Sequence, residues 1–528
     1  MHKTLTAQAA KSLIHGAEEC ALLDIREHGQ YGEGHPFLSV HCPYSDFEQS
    51  VHRLVPNTHV PVILMDDGDG LSALAAAQLQ AMGYTDISVL QGGAPAWQRT
   101  GYTLYKGVNL PSKTLGEIIE HSDHPQVITP QTLDAWQRQG RALHFFDCRP
   151  PNEYAKMTIP GAQCVPNGEL AHRLAAVVCD DVHPIVVTCA GRTRGLIGAA
   201  GLGRLGLKNP IYAVENGTQG WALAGLSLQR GNGQPEMPKL TAEQTHTSRQ
   251  RADALITAEA LHCIDATHFL QLAKDSSRTL YLVDVRSVAE YSEDHLPDAE
   301  HAWSGQIAQA ADLTIGVRRA RVVLSDDTGM RAAMAALWLR AVGYEVYILR
   351  ETASSALPAA WRQNRPTLPQ VNTVTRLPVA QVARLLQAQE IGLLDIRNSQ
   401  DFRKAHIEGA CWTSRARLAL TLRRLPKDRA LVVLASDPVA AAHTVQDVTD
   451  LGYTVLGIAE GGPAHWQAGG LKLVASAQTP ADAECIDFLF FVHDRHDGNL
   501  DSARQYLAWE TGLIAQLDDA EKASFRLS

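Results

Sequence analysis

Several common features are missing from this chain, and each absence narrows its class. Nine cysteines are scattered without a CxxC pair, so neither a disulfide framework nor a zinc site is indicated. No uninterrupted apolar stretch is long enough to span a bilayer. The N-terminus, Met1-His2-Lys3-Thr4-Leu5-Thr6-Ala7-Gln8, has no apolar run of the signal-peptide kind. Basic residues are in the minority, 47 Lys and Arg against 57 Asp and Glu, for a formal net charge of −10. Proteins that bind nucleic acid or acidic membranes need basic patches to neutralise phosphates, so neither partner is expected; a local basic pocket stays open. These absences together point to a reduced, cytoplasmic setting.

The 528 residues exceed one ordinary core, and an apolar content of 45% with 20% charged residues is that of a globular protein. Four internal repeats organise the chain. A strand ending in Asp-x-Arg recurs as Asp24-Ile25-Arg26, Asp147-Cys148-Arg149, Asp284-Val285-Arg286 and Asp395-Ile396-Arg397. Each is followed by a short helical stretch with an aromatic: Tyr31, Tyr154, Tyr291 and Phe402. In the last three an acid precedes it, namely Glu153, Glu290 and Asp401. A second buried strand, a helix and a closing segment ending at Trp97, Trp221, Trp361 or Trp466 complete each copy.

The residue heading the loop after the second strand is Asp66, Cys189, Asp326 or Ala435. It stands 17 residues before a helix-ending glycine in every copy. Strands alternating with helices predict βαβ crossovers and a parallel sheet covered on both faces. The expected domains are 1–107, 125–232, 252–366 and 374–475, separated by polar Gly/Pro-bearing stretches, with a tail at 476–528. The tail carries an apolar patch, Ile486 to Val492. An amphipathic helix candidate follows, with Leu500, Ala503, Tyr506, Leu507, Trp509, Leu513 and Leu517. Both are expected to pack on the repeats or on a second subunit.

Only the second repeat has a cysteine at the loop head. Ile185-Val186-Val187-Thr188 delivers Cys189 to Ala190-Gly191-Arg192-Thr193-Arg194, and a helix begins directly after. A helix start offers unpaired N–H groups and the positive end of a dipole, which bind an anion. Here the anion would be the thiolate, and nearby cations and amides are expected to lower the thiol pKa. The plainer reading makes Cys189 a small buried hydrophobe, the usual fate of a free cysteine.

The order Asp-x-Arg, Glu-Tyr, Ile-x-Gly-Ala, Cys-x-x-x-x-Arg and Gly-x-x-x-Trp resembles a rhodanese sulfurtransferase domain. The second repeat carries it in Asp147-Cys148-Arg149, Glu153-Tyr154, Ile159-Pro160-Gly161-Ala162, Cys189 to Arg194 and Gly217 to Trp221. The resemblance covers four tandem copies and leaves the tail unmatched. It implies four α/β domains, each a central parallel sheet flanked by helices, and a cysteine that carries sulfane sulfur as a persulfide. Cys189 would be that residue. Ala190, Gly191, Arg192, Thr193 and Arg194 would form the cradle, with the arginines facing a small anionic donor such as thiosulfate. The acceptor would be a thiol, cyanide or a partner protein. No metal or organic cofactor is needed. A sulfur-relay or scaffold protein with partner-binding inactive repeats is the alternative. A phosphatase-like reaction is a third reading, disfavoured because those Cys…Arg loops are one residue longer.

Asp66, Asp326 and Ala435 cannot carry a persulfide, and a carboxylate in that place is expected to act as a built-in helix cap. Asp147 and Arg149 are expected as a buried ion pair supporting the loop, with Glu153 in the same supporting role. Cys148, Cys164 and Cys179 are the candidates for a resolving thiol. His493 and His496 invite a metal reading, against which a solvated charged turn is favoured. Subunit pairing, including a homodimer, stays open.

Overall fold

The computed structural model describes residues 3–233, 236–369 and 374–526. Its central strands form around runs of apolar residues: Val62–Met65, Ile185–Thr188, Arg321–Ser325 and Ala430–Leu434 are the buried centres of four five-stranded sheets. Each sheet is parallel and ordered alike. In the second module the order is Val127–Ile128, Ile211–Val214, Ile185–Thr188, His144–Asp147, Gln163–Cys164. Side chains on both faces must be apolar because helices cover both.

The Asp-x-Arg pairs are buried hubs in all four modules. Arg149 donates to Asp147 through Nε at 3.0 Å and Nη2 at 2.7 Å, and Nη2 also reaches the Met157 carbonyl. Arg26, Arg286 and Arg397 repeat this, each donating to the carbonyl eight residues on, at Gly34, Asp294 and Ala405. One side chain thereby ties the strand end to the segment after the next helix.

The modules are not beads on a string. The polar stretch at 108–125 contains the helix Leu110–Ser122, and the helix Ala242–Ala258 spans the second linker. The helix after the cysteine loop, Thr193–Gly203, is buried along nearly its whole length because Leu110–Ser122 packs on it. A β-carbon on Gly116 would lie 3.0 Å from Thr193 Cα, so the two helices approach closely there. Met330–Ala341, its counterpart in the third module, packs against Glu169–Val177, Ser304–Gln309 and Ala242–Ala258. One continuous apolar core runs from the first module through the third.

The tail packs on the repeats. The carbonyl of Ile486 accepts the Gly29 amide, and Leu489 fills the space beside Gly32 in the first module. The expected helix spans Leu500–Thr511 and a short one follows at Leu513–Gln516, burying Ala503, Tyr506, Leu507 and Leu513. Among the described residues no helix is long and apolar enough to cross a membrane.

Candidate active site

Cys189 follows directly on the strand Ile185–Thr188, and the turn behind it requires a glycine. Gly217 has φ +54°, and a β-carbon there would come within 2.2 Å of the Cys189 carbonyl oxygen. The closing helix that starts at Gly217 grips the loop: Thr218 N donates to Cys189 O at 2.8 Å and Gln219 N to Ala190 O at 3.1 Å. Gly93, with φ +56° and the same clash onto Asp66 O, holds the equivalent place in the first module.

The loop presents its amides to the sulfur. Gly195 N lies 3.3 Å from Cys189 Sγ, and the Gly191 amide also favours the ionised form. In the first module the amide six residues beyond the loop head, Ser72 N, donates to Asp66 Oδ2 at 2.9 Å, while Gly68 N holds Oδ1. In the third, Arg331 N and Ala332 N reach Asp326 Oδ2 at 2.9 and 3.4 Å. A carboxylate thus caps the helix where Cys189 puts its sulfur. The fourth module has Ala435 there, and Asp437 caps its helix instead.

Two expectations about this loop need correction. Cys189 is 2% exposed, and burial pushes its thiol up, outweighing the Arg194 guanidinium and the two amides. In this closed arrangement it is not a lowered-pKa thiolate. Nor do the arginines stand free for a donor. Arg192 forks onto Glu117 at 2.8 and 3.0 Å, and also bonds Glu120 and Asn216. Arg194 forks onto Glu153 at 2.6 and 2.7 Å and touches Gln306 of the third module. Burial alone would raise the Glu153 carboxyl, yet Arg194 holds it below its ordinary range.

The sequence reading missed Glu117, Glu120 and Glu510. The first two sit three apart on the linker helix, so they share a face. Glu510 arrives from the tail, and Thr193 Oγ1 donates to its Oε1 at 2.6 Å. Asp147 and Arg149 form their buried pair at the end of the strand His144–Asp147, and Glu153 accepts both guanidinium bonds of Arg194. Cys148 and Cys164 direct their thiols to the carbonyls of Thr188 and Arg149. Burial pushes Cys164 up to about 12 and raises Cys148 as well. Cys179 is exposed beside Asp180.

His493 and His496 form no ligand cluster among the described residues; Asp497 beside them pairs with Lys156. The one group with ligand-like spacing there is His144, Asp180 and His183, next to the N-terminal end of the strand His144–Asp147. Both imidazoles contact Asp180 Oδ2, at 3.2 and 2.8 Å, and the amides of Val182 and His183 hold Oδ1. Hydrogen bonds that close the turn account for this group.

Comparison with known proteins covers nearly the whole chain. The family model described as "Rhodanese-like domain" matches residues 6–100, 129–224, 265–352 and 378–469. A crystal structure of a thiosulfate sulfurtransferase from Pseudomonas aeruginosa superimposes with a TM-score of 0.90 at 32% identity, covering 99% of each chain. The putative thiosulfate sulfurtransferase SseB of Mycobacterium tuberculosis is 26% identical over 203 residues, 31% of this chain and 71% of its own. The thiosulfate sulfurtransferase GlpE of Shewanella oneidensis is 25% identical over 96 residues, 18% of this chain and 95% of its own.

Proposed function

This chain belongs to the rhodanese family, and from that premise we propose that it is a sulfurtransferase whose chemistry runs through Cys189 alone. One observation carries the reading. The Gly195 amide faces Cys189 Sγ where the matching amides of the first and third modules hold carboxylates. A place that holds a carboxylate in the first and third modules suits an anionic sulfur in the second.

In the first half-reaction the Cys189 thiol loses its proton to solvent and its sulfur attacks the outer sulfur of thiosulfate. The donor's S–S bond breaks, sulfite leaves with the electron pair, and a persulfide remains on Cys189. In the second, a thiol or cyanide attacks the terminal sulfur and the Cys189 thiolate departs. Both enzyme forms end in an anionic sulfur, so the backbone from Ala190 to Arg194 serves both. Arg192 and Arg194 supply positive potential although each is paired. Asp147, Arg149 and Glu153 hold the loop in place. Thiosulfate is proposed as donor because the relatives named above are thiosulfate sulfurtransferases. A reduced cytoplasmic setting would keep all nine cysteines free, as they stand here.

The test is sulfur loading. After exposure to thiosulfate, mass spectrometry should find one extra sulfur on the Cys189 peptide, and Cys189→Ala should abolish transfer to cyanide. Full activity in Cys189→Ala overturns the reading. The closure over Cys189 favours a relay variant of the same chemistry, in which a partner protein presents the acceptor. Weak turnover with free thiosulfate alongside stable co-purification of a partner would select it.

A further inference from the structure

Cys148 is the middle residue of Asp-x-Arg in the second module, where the other three modules have Ile25, Val285 and Ile396. The one module with a cysteine at the loop head is thus also the one with a cysteine here. The sheet sets the two side by side. Asp147 and Thr188 are register partners on adjacent parallel strands, and the Cys148 amide donates to the Thr188 carbonyl at 2.9 Å. One residue further along stand Cys148 and Cys189. Both lie on one face of the sheet: they share an apolar core with Phe146 and Val187, whereas Phe145 and Val186 belong to a different one.

The two sulfurs also meet a single peptide group. Cys148 Sγ lies 3.8 Å from the Arg194 carbonyl oxygen, and the amide of the next residue, Gly195, lies 3.3 Å from Cys189 Sγ. Adjacent strands are about 4.8 Å apart, inside the Cα separation of roughly 4.4–6.8 Å that a disulfide spans. The other two candidate thiols fail this test. Cys164 is the register partner of Asp147 on the far side of that strand, away from Ile185–Thr188. Cys179 stands beside Asp180, at the end of the sheet where His144 meets the same carboxylate.

The tail closes the loop from outside, since a β-carbon on Gly191 would be 3.3 Å from the Tyr506 ring. A persulfide on Cys189 would therefore be an anion at a residue only 2% exposed, and buried charge is unfavourable. A bond between Cys148 and Cys189 would replace it by a neutral disulfide and send the charge to solvent.

We propose that Cys148 is a second reacting thiol, which discharges a Cys189 persulfide that no acceptor reaches and gives the protein a further activity, the release of hydrogen sulfide from a sulfane-sulfur donor. This rests on the reading of Cys189 as the sulfur carrier. Cys148 enters as a neutral thiol, kept so by burial and bonded to the Thr188 carbonyl at 2.8 Å. Its proton passes to the outer sulfur of the persulfide, and its own sulfur bonds to Cys189 Sγ. The persulfide S–S bond breaks, and its electron pair leaves on the outer sulfur as HS−. Cys148 is oxidised, the outer sulfur is reduced, and a Cys148–Cys189 disulfide remains. An external dithiol then reduces that disulfide and closes the cycle.

Full-length protein is reduced, freed of reductant and treated with thiosulfate in the absence of oxygen and acceptor. Non-reducing mass spectrometry follows the Cys148 and Cys189 peptides while sulfide is measured. The extra sulfur on Cys189 should appear first, then give way to a linked Cys148–Cys189 peptide as sulfide accumulates in equal amount. Cys148→Val should hold the extra sulfur on Cys189 until cyanide is added and should lose the sulfide release; Val285 fills the matching place in the third module. Diamide oxidation of the unaltered protein, which needs no sulfur donor, should link the same two peptides.

A persulfide that persists in the unaltered protein without sulfide, a failure of diamide to link the pair, or undiminished sulfide release from Cys148→Val overturns the proposal and leaves Cys189 as the sulfur carrier. Linkage by diamide with no sulfur gained from thiosulfate in either protein removes the sulfurtransferase reading, and the sulfide release with it.

Discussion

Arg194 holds Glu153 through two parallel bonds of 2.6 and 2.7 Å, and in the third module Arg331 reaches Glu290, the residue at the matching position, at 2.8 Å. The pair survives where the cysteine does not, so its first duty is to the loop. Yet in the second module the same guanidinium favours an ionised Cys189. Glu153→Gln should therefore do two things. Stability should fall by about 1–3 kcal/mol, less than for a fully buried pair because the Glu153 side chain is 34% exposed. The pH midpoint of Cys189 alkylation by iodoacetamide should move down, since the arginine's charge is no longer balanced. Denaturant melts and a pH–rate profile check both.

Gly217 and Gly93 make a matched pair of tests. Alanine at either meets a carbonyl oxygen at 2.2 Å in a left-handed backbone region, and each should cost about 2 kcal/mol or more in stability. Only Gly217→Ala displaces the loop that carries Cys189. It should abolish sulfur loading, whereas Gly93→Ala should leave loading per folded molecule unchanged. Loss of loading in both would mean that the first module acts directly at the site.

Much of this architecture is legible in the sequence because each module repeats the same local physics. Val62–Met65 is apolar throughout and Ile185–Thr188 in all but its last residue, as strands buried on both faces tend to be. The common spacing to the helix-ending glycine aligns Asp66 with Cys189 without any coordinates. The linker helices are harder to see: Ala242–Ala258 buries only Ser248, Ala252 and Leu255, too few apolar positions to stand out in a polar stretch. What governs the site chemically is harder still. Glu117 reaches Arg192 across 75 residues and Glu510 reaches Thr193 across 317. Burial of Cys189 depends on those distant segments, so a local motif that reads as an activated thiol folds into a covered one.

The covered thiol makes a definite pH prediction. Burial raises its folded-state pKa above the unfolded value, so iodoacetamide should label Cys189 with a midpoint above the ordinary thiol range near ~8.5. The sign for stability follows. A thiol kept neutral by the fold contributes stability that is present below the unfolded pKa and lost as pH rises through the folded one. Cys189→Ala should therefore hold its stability better than the unaltered protein across that alkaline window. Tyr506→Ala should lower the labelling midpoint by letting water reach the sulfur.

Asp66→Cys asks whether a cysteine at the loop head is enough. The carboxylate it removes accepts Gly68 N and Ser72 N at 2.8 and 2.9 Å, so the first module should lose about 1–2 kcal/mol, the worth of a helix cap. The new thiol would stand beside Asp67 and Asp69, and Leu71 occupies the place that Arg194 fills in the second module. The Arg26 guanidinium at that loop is already taken by Asp24 and Asp67. The variant should take up no sulfur from thiosulfate at position 66 while Cys189 loads as before, as peptide mass spectrometry would show. Equal loading at both positions would mean that the backbone amides suffice, and that the arginines of the second module matter for holding the loop rather than for attracting the donor.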